Sequence, residues 1–88
     1  MYAFTEFYED NGALNVHIEC YNDVAKHYAD YFVDKENADK LKQDLGEDVV
    51  KELTKRFSAN NTVIDYFTAH GVSYVVTGKG YEDSRSDV

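Results

Sequence analysis

The sequence has no proline, a single cysteine, nine basic residues against seventeen acidic ones, and no apolar run near the length of a membrane span. Each shortage excludes something. Without proline there is no proline-rich linker, and no repeat or low-complexity tract takes its place. Cys20 alone supports neither a disulfide framework nor a cysteine-rich zinc site, so a reducing, cytoplasmic setting is expected. Met1 leads directly into Tyr2, Ala3, Phe4, Thr5 and Glu6, which puts an acid inside the apolar run that a secretory signal would need. The Asn60-Asn61-Thr62 sequon is then idle. A membrane helix needs about 18 consecutive apolar residues, and none is present. The shortage of bases leaves a net charge of −8, which repels phosphate backbones and anionic lipid and disfavours direct nucleic-acid or membrane binding. No catalytic or phosphate-binding motif stands out: Gly78-Lys79-Gly80 lacks the upstream glycine and the Ser or Thr of a phosphate loop.

What is present is unevenly spread. Residues 1–34 hold seven acids (Glu6, Glu9, Asp10, Glu19, Asp23, Asp30 and Asp34) against Lys26, which is −6 of the total −8, together with eight of the thirteen aromatics. From Lys35 to Thr62 six acids meet six bases. Acidity as a solubility device accounts for the total but not for its polarisation.

Asp10-Asn11-Gly12-Ala13 is the strongest local signal. A type I′ turn needs positive φ at both central residues, and Asn-Gly accepts it at little steric cost. With Asn11 and Gly12 as the loop, the register pairs Asp10 with Ala13 and runs back to Tyr2 with Tyr21. One face then collects Ala3, Thr5, Phe7, Leu14, Val16, Ile18 and Cys20, which is the core side. The other collects Tyr2, Phe4, Glu6, Tyr8, Asp10, Asn15, His17, Glu19 and Tyr21.

Asn22 reads as an N-cap with Asp23 in the first turn of a helix to about Val33, its inward stripe Val24, Tyr28 and Tyr31 or Phe32. Lys35 to Ser58 stays helical, with Gly46 closing one helix and Glu47 and Asp48 opening the next. Glu36 with Lys40, Glu47 with Lys51 and Glu52 with Arg56 are acid-before-base pairs four apart, each worth about 0.2–0.5 kcal/mol. Thr62 to Asp65 fits a capping box in its acidic variant and starts a short helix to His70. Gly71 then serves as C′, with Val72 and Phe67 as the apolar contact of a Schellman ending. Val72 to Thr77 reads as a strand that Gly78 and Gly80 break. The expected fold is a compact α+β domain over residues 1–80, in the order β-β-α-α-α-α-β with a small, mainly antiparallel sheet, followed by a flexible polar tail over residues 81–88.

Each candidate for chemistry has a plainer account. His17 opposite Glu6 makes a cross-strand surface pair. His17 and Cys20 differ by an odd number along a strand and point to opposite faces, so they form no nucleophile–base pair, and Cys20 reads as a small core residue. On a helix, Asp23, His27 and Asp30 would share a side and offer a metal two or three ligands, although no histidine-rich or carboxylate-loop signature supports this. His70 suits a helix C-terminus. Ser86-Asp87-Val88 resembles a carboxyl-terminal ligand for PDZ domains, a three-residue match that chance supplies often.

The outer hairpin face is different. Tyrosine buries ring area while its hydroxyl can still bond, and four aromatics are many for an idle solvated face. The expected function is therefore non-enzymatic: an inhibitor or regulator, without metal or cofactor, that occupies a basic surface on another protein, such as a nucleic-acid-binding one. Its steering acids would be Glu6, Glu9, Asp10, Glu19, Asp23 and Asp30, its anchors Tyr2, Phe4, Tyr8 and Tyr21, with His17 beside them. The alternative is a small homodimer that uses the same aromatic face for self-association. In size, acidity and lack of catalytic signature the chain is similar to phage-encoded nucleic-acid mimics that block restriction or CRISPR nucleases. That likeness implies a DNA-mimicking, anti-restriction or anti-CRISPR role in a host cytoplasm, and it assigns no residue.

Overall fold

The structure, a computed structural model, describes Tyr2 to Asp83. β1 (Tyr2–Asp10) and β2 (Ala13–Tyr21) form the expected hairpin. Asn11 and Gly12 have φ of 53° and 86°, the left-handed pair that a type I′ turn requires. The register matches the sequence pattern at every step, from Asp10 opposite Ala13 to Tyr2 opposite Tyr21.

The next segment corrects the sequence reading. Ala25–Val33 is a strand, β3, antiparallel to β2. Asn22 does place its side-chain oxygen where an N-cap would, accepting from the backbone N–H groups of Val24 at 2.9 Å and Ala25 at 2.8 Å. Here those bonds close a turn, and Asn22 N–H donates to Ala25 O at 3.0 Å. The same asparagine chemistry serves both structures. What decides between them is the nine-residue edge of β2, whose ladder Ala25–Val33 completes, together with the strand preference of Tyr28, Tyr31, Phe32 and Val33.

The helices follow as α1 (Lys35–Leu45), α2 (Val49–Phe57) and α3 (Val63–Ala69), three where four were expected. Asp34 caps α1 by accepting from Asn37 N–H at 2.9 Å, and Asp48 caps α2 by accepting from Lys51 N–H at 3.1 Å. Gly46, at φ 97°, ends α1. The expected capping box of α3 does not form: Thr62 makes no side-chain cap, and its hydroxyl donates instead to Asn60 Oδ1 at 2.7 Å. The Schellman ending does form. Gly71 has φ 69°, Val72 N–H donates to Phe67 O at 2.9 Å and Gly71 N–H to Thr68 O at 3.2 Å. Of the expected helical ion pairs, Glu52–Arg56 closes at 3.8 Å, while Lys40 donates to Gly71 O.

β4 spans Val75–Asp83 and runs through both glycines, which therefore do not break it. Residues 81–83 belong to this strand; the remainder of the expected tail, with Ser86-Asp87-Val88, lies outside the described residues. The sheet order is β1-β2-β3-β4, wholly antiparallel, with an irregularity at Asp30/Tyr31 that leaves Thr77 as an extra residue on β4. The fold is thus α+β in the order β-β-β-α-α-α-β.

All three helices pack on one side of the sheet. Phe7, Leu14, Val16, Ile18 and Val33 meet Ala38, Leu41, Val49, Leu53, Val63, Phe67 and Val72 in one buried cluster. α1 lies against β2 and α2 against β1, so the helical layer gathers over the first half of the sheet. Buried Thr5 ties that half down: its N–H donates to Ser58 O at 2.9 Å and its hydroxyl to Asn60 O.

Candidate docking face

The side of the sheet away from the helices is the candidate site. Strand alternation and the three registers place its side chains in rows across the four strands. Tyr2, Tyr21, Lys26 and Glu82 form one row. Phe4, Glu19, Tyr28 and Gly80 form the next, then Glu6, His17, Asp30 and Gly78, then Tyr8, Asn15, Phe32 and Val75. Asp10 stands beyond Tyr8.

The aromatics touch one another in sequence. Tyr2 lies 5.5 Å from Tyr21 and 6.2 Å from Phe4, Phe4 stacks on Tyr21 at 6.3 Å and neighbours His17 at 6.3 Å, and His17 stacks on Tyr28 at 6.1 Å. Rings held this way lose little further freedom on meeting a partner. Tyr8 stands apart and is 60% exposed, as is Tyr2.

The two glycines of β4 shape this face. A Cβ at Gly80 would overlap the Tyr28 ring, and one at Gly78 would stand 3.2 Å from Asp30 Oδ2. Their missing side chains let Tyr28 and Asp30 lean across from β3, an aromatic covering a strand glycine.

Charge is organised around Lys26 and His17. Lys26 Nζ lies 3.4 Å from Glu19 and 3.3 Å from Glu82, and its pKa is raised by hydrogen bonds to Glu82 first and Glu19 second. His17 Nδ1 meets Asp30 Oδ1 at 2.5 Å, and its Nε2 lies 3.7 Å from Glu19. Glu6 is opposite His17 in the register as expected, but the imidazole is paired with Asp30 instead. Partial burial pulls the His17 pKa down, and the Asp30 bond and charge, with Glu19 behind them, outweigh it, so the net shift is upward. Glu19 is nearly covered, its side chain 13% exposed; with desolvation it raises the Tyr21 hydroxyl pKa. Among the described residues Glu6 and Asp10 have no ion-pair partner.

These shifts give a pH prediction. His17 is raised in the folded chain, so its pairing contributes stability that is complete below the unfolded value near 6.5 and is lost as pH rises through the folded value. In an NMR titration the His17 ring proton is expected to move above pH 6.5, and Asp30→Asn is expected to bring that midpoint down. A His17 midpoint unaffected by Asp30→Asn would contradict the pairing.

Of the residues expected from sequence, Tyr2, Phe4, Glu6, Tyr8, Asp10, His17, Glu19, Tyr21 and Asp30 share this face. Glu9 does not: it points to the helical side and meets Lys42 at 3.0 Å. Asp23 sits in the exposed β2–β3 turn. Lys26, Tyr28 and Phe32 were missed because a helical reading of Ala25–Val33 scatters them, their alternation at every second residue being the available signal; Glu82 was missed because residues 81–88 were read as a tail, whereas β4 runs on to Asp83. The same correction separates His27 from Asp30 on opposite faces, so Asp23, His27 and Asp30 do not converge. Among the described residues no group of three or more His, Cys, Asp or Glu could hold a metal ion. Cys20 and His27 are opposite each other on the helical side, and Asn61 Nδ2 donates to Cys20 Sγ at 3.5 Å. His70, which ends α3, has its Nδ1 2.9 Å from Tyr66 O.

No protein-family model, curated protein or solved structure matches the chain. Among the described residues no helix is long and apolar enough to cross a membrane.

Proposed function

We propose that the chain is a non-enzymatic binding protein, working in the cytoplasm, whose uncovered sheet face docks onto a basic surface of another protein and blocks it. The observation that carries this reading is that one whole face of the sheet has none of the described helices over it and presents a connected set of aromatics among Glu6, Asp10, Glu19, Asp30 and Glu82. Aromatics supply anchoring area, and carboxylates supply steering and select for a positive partner. A nucleic-acid-binding groove is the positive surface that most needs such an occupant, with carboxylates standing where phosphates would. Self-association through this same face would bring like charges together, which costs several kcal/mol for close pairs; the homodimer reading is therefore not placed here.

The test is affinity capture from a cell lysate at low and high salt, comparing the wild type with Glu6→Lys combined with Asp10→Lys. Both positions are exposed and outside every ion pair among the described residues, so the fold is expected to persist. The expected result is a basic protein retained at low salt, released at high salt, lost with the double variant, and displaced from nucleic acid by the wild type. Captured proteins that are neither basic nor salt-sensitive would overturn the proposal.

A further inference from the structure

We propose that the outer edge of β4 is a second interaction surface whose partner is the β4 edge of a second copy, joining two sheets into one of eight strands. The two ends of the sheet are treated differently. At the β1 end, α2 packs alongside and Thr5 N–H is already bonded to Ser58 O. At the β4 end nothing among the described residues pairs with the outer edge, and β4 packs mainly on β3. A nine-residue edge with open N–H and C=O groups is a template for another strand. Val75, Val76 and Tyr81 on this strand are 60%, 51% and 57% exposed, three of the five exposed large hydrophobics among the described residues.

Charge selects the second copy. The chain is strongly acidic, but in an antiparallel pairing of β4 with itself Glu82 and Asp83 fall at one end of the strand and Lys79 near its middle, so another copy can approach here without carboxylates facing carboxylates. An antiparallel pairing about a two-fold axis keeps both outer faces on the same side. Centred on Gly80, it sets Lys79 opposite Tyr81 of the second copy, on the same face and placed for a cation–π contact, and Gly78 opposite Glu82. It keeps Lys79 from meeting its own copy, which is how an edge lysine ordinarily prevents association. The two Tyr28 rings, each lying over its own Gly80, then flank the axis. The helices do not obstruct the approach, because they lie over β1 and β2. The dimer doubles the acidic, aromatic face without covering it.

Sedimentation equilibrium over a micromolar-to-millimolar concentration series is expected to show a mass rising from 10.1 kDa toward twice that value, with amide hydrogen exchange slowing at high concentration in residues 77–83 and not in β1. Lys79→Glu, whose cross-strand neighbour within the chain is Ala29, is expected to shift the dissociation at least tenfold toward monomer while leaving the circular dichroism spectrum unchanged. Tyr8→Ala, on the other face, is expected to leave the dimer intact. A chain that stays monomeric throughout, or a dimer weakened by Tyr8→Ala and indifferent to Lys79→Glu, would overturn the proposal. Neither outcome bears on capture of a basic partner.

Discussion

Phe67→Ala is expected to lower the unfolding free energy by about 3–5 kcal/mol, the usual cost of emptying a large aromatic site in a packed core. Phe67 is fully buried at the junction of α3 and the sheet, with Tyr66 and Tyr74 rings 6.5 Å and 6.4 Å away. It also holds the chain reversal that starts β4, since it is the apolar partner of Val72 across the Schellman ending, where Val72 N–H donates to its carbonyl. The loss is large against the total: at roughly 0.05–0.15 kcal/mol per residue, a chain of this length has about 4–13 kcal/mol in all. Urea unfolding followed by circular dichroism is the measurement, with a lower midpoint and an unchanged slope expected. Phe67→Leu keeps most of the volume and is expected to cost clearly less. Equal losses for the two variants would mean that packing at this site is not what the residue contributes.

Phe67 and Val72 were readable in advance because the rule that finds them is local: a glycine at positive φ, preceded and followed by apolar residues at fixed offsets. The β1–β2 hairpin was readable for the same reason, since Asn11-Gly12 fixes a turn type, the turn fixes a register, and the register fixes both faces. Where the sequence reading failed, a local signal was shared by two structures and a distant partner chose between them. Asn22 offers its oxygen to the N–H groups two and three residues on, whether the chain continues as a helix or turns back as a strand. Val24, Tyr28 and Tyr31 keep helical spacing, while Lys26, Tyr28, Asp30 and Phe32 keep strand spacing, so periodicity alone does not settle the segment. The open edge of β2 does. The glycines of β4 repeat the lesson. In sequence Gly78 and Gly80 weaken a strand, and only once Tyr28 and Asp30 lie across them does their lack of a side chain become a requirement of the fold. The docking face was half legible as a result: the β1 and β2 contributions followed from the turn, and those of β3 and β4 could not.

That completed face predicts a division of labour between its rings and its acids. For the partner retained by the wild-type chain, Tyr8→Ala is expected to weaken binding by about 2 kcal/mol or more, roughly thirtyfold, and to do so through faster dissociation. Tyr8 is the suitable probe because its ring stands apart from the other aromatics and is mostly in water, so truncating it removes contact area from the complex while taking little from the fold. Phe4 and Tyr28 carry ring contacts of their own within the chain, and their truncation would loosen the face as well as the interface. Glu6→Gln and Asp10→Asn are expected to act differently. Under the proposed function these exposed carboxylates would draw a basic partner in from a distance, so their loss is expected to slow association and flatten its dependence on ionic strength, with dissociation nearly unchanged. Stopped-flow or surface-based kinetics at several salt concentrations separates the two effects. If Tyr8→Ala altered only the association rate, or if neutralising Glu6 and Asp10 left the salt dependence intact, the aromatics would not be anchors nor the acids steering groups, and the face would need a different account.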